Sequence, residues 1–491
     1  METLQIILFI ALFIVMALSM FFRMIPALIA LPVMAFVIPL IGGVSINDTV
    51  QLVIGQGALK LHNAYTVALF GSMLSILLQK TKVAESFIKK GAELSGDNPW
   101  VIAVIMLCLI TMLFTTLGGL GAIIMVATVV LPIMSSVGIG SMTVVGIFLI
   151  GISMGGTLNA GNWALYIDVM QLPLDQIRSF ALIMFTLTFI TAIVYVTVQL
   201  YRDGHELRLK RIILTTITIF ALVGSGAYLY FHLPATVQAT IGNFVSTLGV
   251  AFKYASAALV AFLFAMSLVR LVRGRRNQDA EIYWTAYFTP IIPLFLILVF
   301  SMNFIAAFIC GLVYGFVSTY KKGSLNRFIQ SILEGGGVVM PAVVLMLGIG
   351  MLLNAIMGPG GEWAVSHPEG WPVLNLLQPL MARIIPQNEL YFVLVFGLAA
   401  PLALYRGPLN VWGMGYGLAA IFLASGMNPA AVMGLLMAVG PVQGISDPTN
   451  THNVWLANEM QLDVQKVLWN TIPYTWILAI IALVVAAGLF M

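Results

Sequence analysis

Residues 45–57 read SINDTVQLVIGQG and residues 324–336 read SLNRFIQSILEGG, so one apolar chain carries the same segment twice, 279 residues apart. The correspondence extends beyond that block. Gly119, Gly138, Gly156 and Asn162 recur as Gly407, Gly426, Gly444 and Asn450 at a spacing of 288, and Met170-Gln171-Leu172 recurs as Met460-Gln461-Leu462 at 290. Loop insertions account for the small drift. The matched residues are mostly Gly, Asn and Gln, which a helix facing lipid does not need. An internal duplication therefore governs whatever this chain folds into.

The medium in which the repeats fold follows from composition. The chain is 61% hydrophobic and 8% charged, with a mean hydropathy of +1.04, whereas soluble domains carry about 25% charged residues. It belongs in a bilayer. The net charge of +4 is concentrated in short clusters, which report membrane orientation and not nucleic-acid binding. Cys108 and Cys310 sit in apolar runs where neither a disulfide framework nor a zinc site can be built, and they read as packing residues. The run from Leu4 to Met20 lacks a positive leader and a small-residue cleavage site, so it reads as a first spanning helix and not as a signal peptide.

A spanning helix needs about 20 mostly apolar residues. On that rule crossings fall near 4–22, 24–42, 63–79, 143–160 and 179–200, and again near 284–301, 304–320, 338–356, 429–446 and 468–490, with joining helices near 211–231 and 243–269. Twelve crossings are expected. Lys- and Arg-rich short loops stay cytoplasmic. The clusters Lys80–Lys90, Arg202–Arg211, Arg270–Arg276 and Lys321–Arg327 share one face only if both termini are outside and the segments 99–135 and 389–425 are re-entrant hairpins.

The expected fold is thus an all-α polytopic membrane protein of two inverted-topology repeats, each with a re-entrant hairpin and a discontinuous helix. Repeat 1 spans 1–201, with scaffold helices 4–42, an arm 45–60, a hairpin 99–135 and a broken helix 143–162. A two-helix linker spans 202–282. Repeat 2 spans 283–491, with scaffold helices 284–320, an arm 324–336, a hairpin 389–425 and a broken helix 429–450. Polar and apolar residues at helical spacing in Thr49–Leu61, Lys82–Lys90 and Ser324–Glu334 suggest interfacial helices. The stretch 357–388 reads as an ordered lid or surface loop.

Unpaired backbone at membrane depth is tolerated only inside protein or around a wet cavity. The hairpins turn at Thr115–Gly121, which contains Thr116, Gly118 and Gly119, and at Tyr405–Asn410, which contains Arg406, Gly407 and Asn410. The following crossings break at Gly155–Asn162, with Gly156, Thr157, Asn159 and Asn162, and at Gln443–Asn450, with Gly444, Ser446, Asp447, Thr449 and Asn450. Gly or Pro beside short polar residues is the composition of unwound helices whose amides, carbonyls and side chains face a ligand or ion. These residues form the candidate substrate site.

With these segments in hand, the chain resembles the ion transporter superfamily of secondary carriers, in particular its gluconate, citrate and C4-dicarboxylate permease branches. The resemblance is carried by FGSMLSILLQKTKVAESFIKK at 70–90, by GGLGAIIMVATVVLPIMSSVGI at 118–139 and by the paired broken helices. Related carriers often show a Ser-Asn-Thr-like triplet at such turns. Thr157 and Asn159, and Ser446, Thr449 and Asn450, are the nearest equivalents here. The resemblance implies an elevator-type carrier whose hairpins and broken helices move, built as a homodimer on a fixed scaffold.

Arg406 is the only formal charge in either hairpin turn. A mid-membrane arginine normally faces a cavity or a partner, so it can pair bidentately with a carboxylate substrate or form an internal ion pair with Asp447. Asp447 takes the register position of Asn159, an asymmetry that suits ion coupling. Its carboxylate can hold a proton, or join Asn159 in offering oxygen to Na+. His452 is a second proton carrier or an interfacial histidine. Asp168 reads as a solvated loop charge, and Trp163 and Trp455 as interfacial anchors.

The functional expectation is a secondary transporter of a small organic anion in a plasma membrane of bacterial type, driven by H+ or Na+, with no other cofactor and no resident metal. An inorganic-ion transporter such as a Na+/H+ antiporter is the alternative. An enzyme is not expected, because the chain has no HExxH motif, no plausibly placed Ser, His and Asp series and no carboxylate cluster.

Overall fold

A computed structural model describes residues 2–22, 24–206, 218, 235–273, 282–321, 323–381, 385–386, 388–411 and 415–491. Among them the chain is helical throughout, with no strand. Seven helices are long and apolar enough to cross a membrane, or nine if each bent helix pair counts as one span. The protein is a multi-pass membrane protein.

The first half contains α1 (Glu2–Phe21), α2 (Ala27–Ile41), α3 (Ile46–Leu59), α4 (His62–Lys80), α5 (Val83–Leu94), α6 (Pro99–Phe114), α7 (Leu120–Ser136), α8 (Ser141–Thr157), α9 (Ala160–Met170) and α10 (Leu174–Arg202). Next comes α11 (Ala235–Arg273). The second half contains α12 (Ile292–Phe300), α13 (Phe304–Ser318), α14 (Ser324–Met357), α15 (Gly361–Ser366), α16 (Pro372–Met381), α17 (Glu389–Ala399), α18 (Tyr416–Ala424), α19 (Pro429–Ser446), α20 (Thr451–Glu459) and α21 (Val464–Phe490). The helix expected at 211–231 lies outside the described residues.

Local chemistry sets several of these boundaries. α6 and α19 both begin with Asn-Pro: Asn98 Oδ1 accepts from the Trp100 and Val101 amides, and Asn428 Oδ1 accepts from that of Ala430. The proline stands at the first helical position, where no amide bond is lost. The crossing expected at 284–301 is instead a 3-10 turn, Trp284–Phe288, followed by the nine-residue α12. Pro290 and Pro293 lack the N–H groups that one continuous helix would need there. The arm expected at 324–336 and the crossing at 338–356 are a single helix, α14, which runs through Pro341. In the first half the corresponding stretch bends by 40° between α3 and α4.

Apolar side chains gain little from leaving lipid for one another, so helices associate through close contact of small residues. The crossing of α3 and α4 with α14 has this form. A Cβ on Gly57 would lie 2.7 Å from Met351 Cα, and one on Gly335 would lie 2.5 Å from Met73 Cα. Gly57 meets residues 350–351 while Gly335 meets residues 72–73, so the helices run antiparallel. α14 also packs on α2, with Gly348 against Leu31 and Pro32. Lys60 Nζ donates to Asn354 Oδ1 at 2.7 Å, and Asn354 Nδ2 donates to the Leu52 carbonyl at 3.0 Å, which ties the α3–α4 bend to α14.

Three sequence readings change. Asp168 is not a solvated loop charge. It is buried on α9, accepting from Asn63 Nδ2 at 3.0 Å and from the Ala64 amide at 3.1 Å, and so caps α4, whose own N-cap residue supplies no side-chain bond. Trp163 is fully buried and donates from Nε1 to the Thr157 carbonyl at 2.8 Å, so it fastens the helix break and is no interfacial anchor. Cys108 and Cys310 are exposed on helix surfaces and do not pack in the core. Helical phase decides which side of an apolar run a residue faces, and uniformly apolar runs conceal that phase.

Candidate functional site

In the first half, the break between α8 and α9 bends the chain by 49°. Asn159 organises it. Its Oδ1 accepts from the Gly161 amide at 2.9 Å, capping α9, and its Nδ2 donates to the Thr115 carbonyl of the hairpin turn at 3.1 Å. Asn162 Nδ2 donates to the Gly156 carbonyl at 2.7 Å, which also accepts from the Asn159 amide at 3.2 Å where α8 ends. The hairpin turn itself reaches α7 through Gly119 at φ +82° and ψ 160°, a conformation open to glycine and strained for other residues.

The second half repeats this plan with different chemistry. Asn450 Nδ2 donates to the Gln443 carbonyl at 2.6 Å, and His452 Nε2 lies 3.3 Å from the Gly444 carbonyl. The hairpin descends through α17 and a 3-10 turn, Ala400–Arg406, in which Tyr405 and Arg406 have φ values of +54° and +55°. Asp447 is fully buried and directs its carboxylate at this turn. It accepts from the Tyr405 amide at 3.0 Å, the Arg406 amide at 3.4 Å and Asn410 Nδ2 at 3.2 Å, and from the Thr449 amide and hydroxyl at 2.9 and 2.7 Å.

All four polar segments meet around one cavity of about 750 Å³. Hairpin 1 contributes Thr116, Gly118 and Gly119, and the first break contributes Gly156, Thr157, Asn159 and Asn162. From the second half come Arg406, Gly444, Asn450 and His452. The facing wall is apolar and is built by α4, α13 and α14, with Phe308, Val338 and Met346 among its residues. The two broken helices touch directly there, with Gly444 opposite Ser153.

Among the described residues, Arg406 is the only Arg, Lys, Asp or Glu on the cavity wall. Among the described residues, no ion pair involves Arg406, so the internal pair with Asp447 is not formed. Arg406 also borders a second space of about 410 Å³, with Thr449 and Thr451 on one side and Met20, Ile25, Pro26 and Ala27 on the other. It therefore stands between the central cavity and the α1–α2 junction. Three helix N-termini, those of α7, α9 and α20, reach the cavity through Leu120, Gly161 and Thr451. Each presents partial positive charge there.

The remaining predicted residues lie behind the wall. Gly407 is buried, and a Cβ on it would collide with the Leu402 carbonyl. Asn410 bonds the Ala403 carbonyl at 2.9 Å in addition to Asp447. Ser446 Oγ is buried within 2.9 Å of both the Thr471 and the Thr475 hydroxyls. Asp447 and Thr449 hold each other. Ser72, Ser153, Tyr166, Tyr416 and Gln443 line the cavity but were not singled out from the sequence. Ser153 was within reach, being four residues before Thr157 on the same helix face, and its carbonyl accepts the Thr157 hydroxyl at 3.0 Å.

No protein-family model matches the chain, and no curated protein is similar to it. Among solved structures, the crystal structure of the YdaH transporter of Alcanivorax borkumensis, described as revealing an unusual topology, is similar at a TM-score of 0.48. The identity is 14%, over 86% of this chain and 84% of that one.

Proposed function

We propose that this protein is a secondary active transporter of a small organic anion, a carboxylate such as a sugar acid, hydroxy acid, citrate or C4-dicarboxylate. One observation carries the proposal: the polar breaks of both halves converge on a cavity where, among the described residues, the Arg406 guanidinium is the single formal charge and has no acidic partner. A guanidinium that reaches a cavity wall can be satisfied by a bidentate oxyanion, and the helix N-termini around the cavity favour the same sign of charge.

The transport cycle follows from the duplication. Gly57 against Gly350 and Met351, and Gly335 against Ser72 and Met73, are the same contact made by each half on the other: a shift of 279 residues carries one onto the other to within one residue. Such reciprocity supports two inverted repeats related by a pseudo-twofold axis. In this reading the hairpins and broken helices move as a unit against α2, α4, α13 and α14, carrying the anion across in an elevator-type alternating-access cycle. An H+ or Na+ gradient drives it, in a homodimer in a bacterial plasma membrane with both termini outside. A cation antiporter would need acidic ligands on the wall, and none of the described lining residues is Asp or Glu.

The test is uptake by Arg406→Ala in proteoliposomes, with thermal shifts of the purified protein against gluconate, lactate, citrate and succinate, with and without Na+. Uptake and ligand stabilisation should both disappear while the variant inserts normally. Near-normal uptake would sink the assignment.

A further inference from the structure

Asn159 and Asp447 occupy corresponding places at the two helix breaks, yet one is an amide and the other a carboxylate. We infer that Asp447 is a positioning residue for Arg406, and that this difference is set by the polarity of the hairpin turn each residue holds and not by ion coupling. The inference rests on the reading of Arg406 as the anion-binding group.

The bonding partners decide the chemistry. Around Asn159 the hairpin turn presents an acceptor, the Thr115 carbonyl, and the helix start presents a donor, the Gly161 amide. A carboxamide, with one donor end and one acceptor end, matches that pair. Around Asp447 every partner donates: two backbone amides and the Asn410 side chain from the hairpin, and the amide and hydroxyl of Thr449 from the break. A carboxylate, acceptor-only at both oxygens, takes three of these donors on Oδ1 and two on Oδ2, whereas an amide would turn its NH2 end toward other donors.

The same carboxylate fixes the backbone that carries the arginine. Tyr405 and Arg406 both lie in the left-handed region, at φ +54° and +55°, which residues with side chains seldom occupy and never in runs without support. The amides of these two residues are the ones Asp447 binds. Gly407 then allows the chain to double back against the Leu402 carbonyl, where a side chain would not fit. The result is a turn that sends Arg406 to the cavity wall while Asp447, 0% exposed, is not part of that wall. A substrate or ion in the cavity meets Arg406 and has no direct access to the carboxylate.

The experiment compares wild type, Asp447→Asn and Asp447→Asn with Tyr405→Gly in proteoliposomes, using the carboxylate among gluconate, lactate, citrate and succinate that stabilises wild type best. Counterflow, which needs binding and translocation but no net gradient, is read beside gradient-driven accumulation. Positioning predicts that Asp447→Asn raises the half-saturation concentration at least tenfold in both modes. Tyr405→Gly should then recover at least threefold of it, because glycine adopts the positive φ unaided. Wild-type half-saturation in counterflow with loss of accumulation alone would make Asp447 the coupling group and overturn the inference. If Asp447→Asn does not yield monodisperse protein, Asp447→Glu carries the same comparison, with the same two outcomes. Wild type stabilised by no organic anion would overturn the carrier reading and this inference with it, whereas wild-type binding with an unaltered Asp447→Asn half-saturation overturns the inference alone.

Discussion

Replacing Gly335 by alanine, with Gly336→Ala and Gly337→Ala as matched controls, tests the helix crossing on which the arrangement of the two halves depends. All three glycines lie in α14, and each change gains about 1 kcal/mol of helix propensity. That gain cancels in the comparison. A Cβ on Gly335 would stand 2.5 Å from Met73 Cα and 2.7 Å from its nitrogen, both backbone atoms that cannot rotate away, while a Cβ on Gly336 or Gly337 meets nothing within 4 Å. Carbon atoms rest about 3.5–4.0 Å apart, so α4 and α14 must separate by about 1 Å or more. Overpacking of this kind costs about 1–3 kcal/mol. With an unfolding entropy of about 2.1 cal/mol/K per residue over 491 residues, 1 kcal/mol corresponds to about 1 °C. Gly335→Ala should therefore melt about 1–3 °C below its neighbours, and leucine in place of alanine should widen the gap. The assay is tryptophan fluorescence during thermal unfolding in detergent. If Gly335→Ala is as stable as Gly337→Ala, the antiparallel crossing is wrong, and the reciprocal contact that supports inversion goes with it.

Three further outcomes are expected. Asp168→Ala strands the Asn63 side chain and the Ala64 amide at the start of α4, at a cost of about 1–3 kcal/mol. Asp168→Asn keeps an acceptor and should lose less, so equal melting temperatures for the two would refute the capping role. Gly146→Ala drives a methyl into the ring of Tyr195, whose hydroxyl donates to Asn470 Oδ1 at 2.7 Å. The variant should show a lowered melting temperature that Tyr195→Phe alone does not relieve, because the ring remains in place. Among the described cavity-lining residues, His452 is the one whose side chain ordinarily titrates near neutral pH. His452→Gln should flatten the pH dependence of uptake between about pH 5.5 and 8, and an unchanged profile would place proton coupling elsewhere.

Several parts of the site are legible in the sequence. Gly156, Asn159 and Asn162, and Gly444 and Asn450, stand out because a lipid-facing helix has no use for them, and the recurrence of Gly156 as Gly444 and of Asn162 as Asn450 at one spacing marks the two breaks as a pair. They line the cavity together. Arg406 was visible for the same reason, as an isolated charge in an apolar hairpin. Asp447 was also visible, but its surroundings were not. Its role depends on whether the turn across from it shows amides or carbonyls, which is a property of φ and ψ at Tyr405 and Arg406 and leaves no mark in residue type. Asp168 and Trp163 were misread because a charge or an indole beside a loop is commonly solvated or interfacial, and only the position of α4 and of the α8–α9 break turns them inward.

The sequence by itself determined the medium, the helical class and the duplication. Those follow from how much apolar surface the chain carries and where identical polar residues recur, both additive along the chain. It also located the four breaks, since glycine and short polar residues weaken a helix wherever they occur. Tertiary structure alone decided which of the polar residues face the cavity and which are consumed in holding it. A hydrogen bond needs a partner of the right sign at about 3 Å, and for Asp447 three of its five donors, two backbone amides and the Asn410 side chain, come from a hairpin turn some forty residues away.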